Sequence, residues 1–158
     1  MKKLLLIFGL VSLFSCQKEL KYAYELEPVN LSQSKDKSNL KSDLQFVSIA
    51  YSDLFGKQIA ASDLNVILEG YNSVGDKGVV IDRVLRKMLA VNGIIKPDAS
   101  VMRADLDAFI EESFERFLVR KPAEMERWFF ASIMEKNSAL QPEDIYYALM
   151  TSTEYRYY

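Results

Sequence analysis

Few side chains in this sequence could perform acid–base, nucleophilic or metal chemistry. The chain has 158 residues, no histidine and a single cysteine, Cys16. Ser-His and Cys-His nucleophilic pairs, His- or Cys-ligated metal sites and heme attachment through Cys-x-x-Cys-His are therefore excluded. No glycine-rich phosphate loop is present either. We expect no enzyme activity, no cofactor and no metal ion.

Carboxylates are the remaining candidates for catalysis. Asp105, Asp107, Glu111 and Glu112 lie close together in the sequence, near the start of a predicted helix. Acidic side chains at that position complement the helix dipole. The cluster therefore favours a solvated helix face over a glycosidase-like pair of acids.

The one thiol lies where lipid attachment needs it. Lys2 and Lys3 precede an apolar run over residues 4–14, and Ser15 precedes Cys16. The run is too short to be a permanent membrane-spanning helix. This layout resembles the signal of bacterial lipoproteins, which implies cleavage before Cys16 and acylation of its sulfur. Phe14 departs from the pattern, since the residue beside the cleavage site is usually smaller.

The resemblance implies a location. We expect residues 1–15 to be a signal peptide and acyl chains on Cys16 to hold the mature protein on the outer membrane. Gln17-Lys18-Glu19 resembles the short charged signal that sends some lipoproteins of Bacteroidota to the cell surface, and both faces of the membrane stay open. The alternatives are an ordinary signal peptide with an incidental cysteine, or a short buried helix.

The charge balance limits the partners. Lys2 and Lys3 belong to the signal, so 18 of the 20 basic residues remain against 22 acidic ones, a formal charge of −4. A mildly acidic domain lacks the excess positive charge that binds nucleic acid, and anionic lipid headgroups do not attract it. We therefore expect no nucleic-acid partner and membrane attachment through the lipid alone.

The rest of the chain divides into a tether and a helical domain. Residues 16–42 are polar and mixed in charge, which predicts a tether after the lipidated cysteine. Residues 43–158 carry apolar side chains at helical spacing and predict an all-α bundle of about six helices. We expect Gly56 to end the first helix, Ser62 to cap the second, and Pro122 and Pro142 to open the last two. The third and fourth helices are predicted over residues 79–91 and 104–119.

The two halves of this domain, residues 43–93 and 99–158, match each other at a constant shift of 63 residues, and at a shift of 64 in the third helix of each half, after one inserted residue. Chance matching of helical periods explains part of this, but the recurrence of a base and an acid six positions apart, Lys57 with Asp63 and Arg120 with Glu126, favours duplication. We therefore predict two three-helix units. The predicted core residues are Phe46, Leu54, Ile67, Leu85, Phe109, Phe117, Phe129 and Leu149.

The turn that carries the recurring base resembles a known helical module. Residues 117–122 read Phe-Leu-Val-Arg-Lys-Pro and are followed by Glu126, and residues 152–156 read Ser-Thr-Glu-Tyr-Arg. Both are similar to modules of phycobilisome linkers and of related bacterial extracellular proteins, although those have glycine at the position of Val119. The resemblance implies a scaffolding module without a reaction. Lys57 and Arg120 have either a structural role at the helix ends or a binding role.

Large aromatic side chains are the best candidates for function. Trp128, Phe129 and Phe130 are consecutive and cannot all face one core, and tyrosines crowd the end of the chain. Such residues suit interfaces and stacking on sugars. We expect Trp128, Tyr155, Tyr157 and Tyr158 to bind a partner. The alternative places Trp128 or Phe129 in the core and lets the tyrosines reach solvent from it.

Taken together, these features predict a non-catalytic accessory lipoprotein. Its helical module would dock on a protein complex of the outer membrane or cell surface. The alternative is a binding module for an extracellular ligand, such as a glycan, that uses the same C-terminal aromatic residues. A flat aromatic patch favours the first function, and a concave pocket favours the second.

Overall fold

The domain is helical, as predicted. A computed structural model describes Lys37 and residues 39–157, and within this part there are seven α-helices, one 3₁₀ helix and no β-strand. The predicted signal peptide, Cys16 and most of the tether lie outside the described residues. The helices are α1 (Asp43–Phe55), α2 (Ala61–Asn72), α3 (Lys77–Leu89), α4 (Ala99–Ala104), α5 (Leu106–Leu118), α6 (Glu124–Lys136), α7 (Pro142–Met150) and the 3₁₀ helix Glu154–Arg156.

Several helix ends follow the local sequence signals. Gly56 ends α1 in the left-handed conformation, with φ of 64°, and Pro142 is the first residue of α7. The predicted cap at Ser62 is wrong, because α2 begins at Ala61 after the N-cap Ala60. Pro122 precedes α6 instead of lying in its first turn, and Ala123 is the N-cap.

The predicted fourth helix corresponds to α5, and a short helix that was not predicted, α4, precedes it. The short α4 ends at Ala104, and Asp105 leaves the helical conformation, with φ of −148° and ψ of 86°. Its carboxylate accepts a hydrogen bond from the backbone N–H of Ala108 at 2.9 Å and so caps α5. The additional helix α4 brings the described part of the chain to seven α-helices, where about six were predicted.

The helices pack around one apolar core. In the first half α1 contacts α2 and α3, and α2 contacts α3. In the second half α5 contacts α6 and α7, and α3 of the first half packs against α7. The buried apolar side chains of both halves form a single cluster, so the two halves share one hydrophobic core.

The helix positions agree with the predicted internal match. The corresponding helices α1 and α5 begin at Asp43 and Leu106, and α2 and α6 begin at Ala61 and Glu124, each pair 63 residues apart. The buried positions of α1 also recur in α5 at the same shift. They are Phe46, Val47, Ala50 and Leu54 in α1 and Phe109, Ile110, Ser113 and Phe117 in α5.

Two of the predicted core residues are placed differently. Phe129 is 53% exposed, so its assignment to the core is wrong. The inward face of α6 is taken by Met134, which is buried, and by Phe130, which is partly buried and packs against the core. Phe129 lies outside Phe130 and meets its ring edge-on, with centroids 5.6 Å apart. Ile67 is only partly buried and packs against the edge of the core. The other six predicted core residues are buried.

Candidate functional site

Tyr155 has a structural role that contradicts its predicted use as a partner-binding residue. Its side chain is 0% exposed and meets the rings of Phe46 and Phe117 edge-on, with centroids 5.8 and 6.3 Å apart. A side chain with no accessible surface cannot contact a partner in this fold. The 3₁₀ helix places Tyr155 in the core. The sequence prediction had placed this tyrosine on the surface.

The phenol of Tyr155 donates a hydrogen bond to Asp53 Oδ2 at 2.7 Å. Burial raises the pKa of the Asp53 carboxyl above its ordinary value, although this hydrogen bond acts in the opposite direction. Burial also raises the pKa of Tyr155, and the charge of Asp53 adds to the effect. The pair therefore joins the C-terminal segment to α1 with the phenol in its neutral form.

Of the other two tyrosines predicted to bind a partner, the structure describes Tyr157 but not Tyr158. Tyr157 is partly exposed, and its backbone pairs with Leu40 in an isolated antiparallel bridge. Tyr158 lies outside the described residues. Partner contact by either tyrosine stays a prediction.

Arg120 binds two carboxylates at the junction of α6 and the 3₁₀ helix. Its guanidinium donates two hydrogen bonds of 2.7 Å to Glu126 and two of 2.7 Å to Glu154. The remaining N–H group donates to the carbonyl of Lys121 at 3.1 Å, so all five guanidinium donors have acceptors within the chain. These hydrogen bonds hold the pKa of Glu126 and that of Glu154 below the ordinary value of a glutamate.

This arrangement decides between the two readings of Arg120. A guanidinium with every donor engaged has none left for a ligand, so Arg120 is a structural residue. It does not neutralise carbonyls at the end of α5, as its place in the sequence suggested. Instead it ties the start of α6 to the chain end through two bidentate contacts.

Exposed apolar side chains form a patch on the outer side of α6. Met125 is 65% exposed, Trp128 64% and Phe129 53%, and they follow the i, i+3, i+4 spacing of one helix face. We call these three residues the α6 outer face. Ser132, which is partly exposed, follows at i+7 and ends the apolar patch with a hydroxyl. Sequence reasoning picked out Trp128 but missed Met125, which the same spacing identifies.

The α6 outer face is not required by the fold. The residues at the same positions of α2, 63 places earlier, are Ser62, Asn65 and Val66, all exposed. Two of these three are polar, so the same helix position in the first half is compatible with a more hydrophilic surface. Packing within the domain therefore does not explain the apolar patch of the second half.

Ion pairs fix α6 against α5. Arg127 donates to Glu111 at 3.0 Å, and Lys121 donates to the other oxygen of Glu111 at 2.7 Å. On the inner side, the rings of Phe114 and Phe130 meet edge-on with centroids 5.5 Å apart. The outer face is thus presented by a helix held at several points, which lowers the ordering cost of binding.

The described part of the chain offers no other obvious centre for chemistry. Within it, no group of three acidic or cysteine side chains is arranged to hold a metal ion. None of its helices has the length and apolar character needed to span a membrane. Comparison of the chain with known protein families, curated proteins and solved structures found no match.

Proposed function

We propose that this protein is a non-catalytic accessory lipoprotein, anchored to the outer membrane through Cys16, that binds another protein through the α6 outer face. The observation that carries the proposal is the exposed cluster of Met125, Trp128 and Phe129 on a rigidly held helix. Exposed aromatic and methionine side chains grouped in this way are typical of the centres of protein interfaces.

The chemistry of this surface favours a protein over a lipid bilayer as its occupant. The mature chain has a formal charge of −4 after loss of Lys2 and Lys3, and anionic headgroups repel such a body. Two basic residues close to the patch in the sequence, Lys121 and Arg127, are already paired with Glu111. The partner that fits is a protein of the same membrane assembly with an apolar groove that accepts the indole of Trp128.

Photo-crosslinking in the native organism tests this proposal. Benzoylphenylalanine is placed at the position of Trp128 in the full-length chain and, as a matched control, at the position of Asn65 on α2. We expect a discrete adduct with one other protein from position 128 and none from position 65, and Phe129→Ser should weaken the adduct. Adducts with lipid, adducts only between copies of this chain, or equal crosslinking from both positions would contradict the proposal.

The alternative function, capture of an extracellular ligand by the C-terminal aromatics, has less support. Tyr155 is in the core, and Trp128 and Phe129 lie on a helix face rather than in a concave site. A concave site does exist in the first half of the domain, where those aromatics are absent.

A further inference from the structure

A cavity of about 410 Å³ opens in the first half, where the ends of α1 and α3 meet α2. Apolar side chains form its wall. Among them, Tyr51 and Phe55 stack with centroids 4.4 Å apart and an interplanar angle of 30°. Ile59, Ile67, Val84 and Met88 continue the wall. The volume is within the range of small-molecule sites, roughly 300–1,000 Å³.

The rim of this cavity carries unpaired positive charge. Lys57 and Lys87 line it and are exposed, and neither forms an ion pair with another described residue. Asp63 is the one acidic residue of the lining, and Asn92 adds an amide. Two ammonium groups against one carboxylate leave the mouth with an excess of one positive charge, although the whole chain is acidic.

The equivalent place in the second half carries a paired cluster of charges. Lys57 and Asp63 of the first half correspond to Arg120 and Glu126 of the second. There, Arg120 forms ion pairs with both Glu126 and Glu154. Phe114 and Leu118 are buried there, whereas their counterparts Tyr51 and Phe55 are partly exposed. In the first half the segment after α3 supplies Val91, Asn92 and Gly93 and no acid. Lys57 and Asp63 therefore lie at the cavity without a second carboxylate to complete a cluster.

We propose that this cavity binds a small hydrophobic monocarboxylate, with its hydrocarbon or ring against Tyr51 and Phe55 and its carboxylate at Lys57 and Lys87. The apolar wall selects the body of the ligand, and the excess positive charge selects an anionic head. The site is on the other half of the domain from the α6 outer face, so it does not depend on the proposed protein interface.

The experiment uses the acylated mature protein in nanodiscs and 4-phenylbutyrate as the probe. Isothermal titration calorimetry, with empty nanodiscs as the blank, compares this carboxylate with 4-phenylbutanol and 4-phenylbutylamine. We expect saturable binding of the carboxylate at least tenfold tighter than that of the alcohol, and weaker binding still of the amine. Absence of saturable binding, or equal binding of the carboxylate and the alcohol, overturns the proposal.

Two substitutions locate the site. The double variant Lys57→Gln/Lys87→Gln should lose the preference for the carboxylate while still binding the alcohol. Lys121→Gln removes the same kind of charge from the second half and should leave the titration unchanged. Thermal unfolding of each variant verifies that it is folded. If the double variant keeps the tenfold preference, or if Lys121→Gln removes it, the site is not this cavity.

Discussion

Val119 has the same left-handed backbone as Gly56, the residue 63 positions before it. Their φ angles are 56° and 64°, and Val119 is the one described non-glycine residue with a positive φ. Gly56 ends α1, and Val119 ends the corresponding helix α5. Glycine takes this conformation without strain, whereas a β-branched residue suffers a clash between its side chain and the backbone.

We predict that Val119→Gly stabilises the domain by about 1 kcal/mol, because it removes this strain. Val119 is 82% exposed, so the substitution loses little packing. Urea unfolding followed by circular dichroism measures the change. The matched variant Gly56→Ala should destabilise, since its Cβ would lie 2.6 Å from Ile95 Cδ1 at a positive φ. Unchanged or lower stability of Val119→Gly would show that Val119 is not strained.

The Arg120 cluster predicts a dependence of stability on pH. The folded pKa values of Glu126 and Glu154 are lowered, so their contribution is present above the unfolded pKa of a glutamate. It is lost as the pH falls through the folded values. Arg120→Met should cost about 2 kcal/mol at pH 7 and much less at pH 3. Urea unfolding at the two pH values measures this difference.

Lys121→Met is the control for that experiment. Lys121 forms an exposed ion pair with Glu111, and such pairs contribute at most about 1 kcal/mol. Its removal should therefore matter little at either pH. A cost for Arg120→Met that is equally large at pH 3 would mean that the carboxylates are not the source of its effect.

Tyr155 is predicted to be essential for folding. Tyr155→Ala removes a fully buried ring and should cost about 3–5 kcal/mol. Tyr155→Phe removes only the hydrogen bond to Asp53 and should cost about 1–2 kcal/mol. Tyr157→Ala, at a partly exposed position, is the comparison and should cost less than Tyr155→Ala. Equal unfolding midpoints for Tyr155→Ala and the parent protein would contradict the burial of Tyr155 in the core.

Membrane attachment is predicted to depend on Cys16. Cys16→Ala should abolish incorporation of labelled palmitate and release the mature protein from membranes, because it removes the single thiol of the chain. Metabolic labelling and membrane fractionation measure the two effects. Ser34→Ala, a substitution in the predicted tether, should change neither. Membrane-bound Cys16→Ala protein would contradict the lipoprotein proposal.

The sequence was a good guide to the elements of the fold. Helical periodicity located every described α-helix except the short α4, Gly56 and Pro142 marked two of the helix ends, and the shift of 63 related the buried positions of α1 to those of α5. Each of these features depends on local spacing or on the backbone preference of one residue. These features can therefore be predicted from the sequence without knowing how the helices pack.

Features that depend on tertiary packing could not be predicted from the local sequence. The periodicity of α6 shows two apolar faces, and only the position of α5 decides that Phe130 is inside and Phe129 outside. Tyr155 is buried because the chain end folds back onto α1, where Asp53 lies 102 residues away. The unpaired charge at the cavity likewise becomes apparent only by comparison with the second half, where Glu154 completes the cluster of Arg120 and Glu126.

The proposed protein interface is tested most directly by chemical accessibility in the living cell. Phe129→Cys places a thiol on the α6 outer face, and Val66→Cys places one at the equivalent position of α2, where Val66 is 70% exposed. Maleimide labelling rates are measured for both variants in cells and after purification. We predict that position 129 reacts at least tenfold more slowly in cells than after purification, relative to position 66. Equal ratios at the two positions would show that no partner covers the α6 outer face.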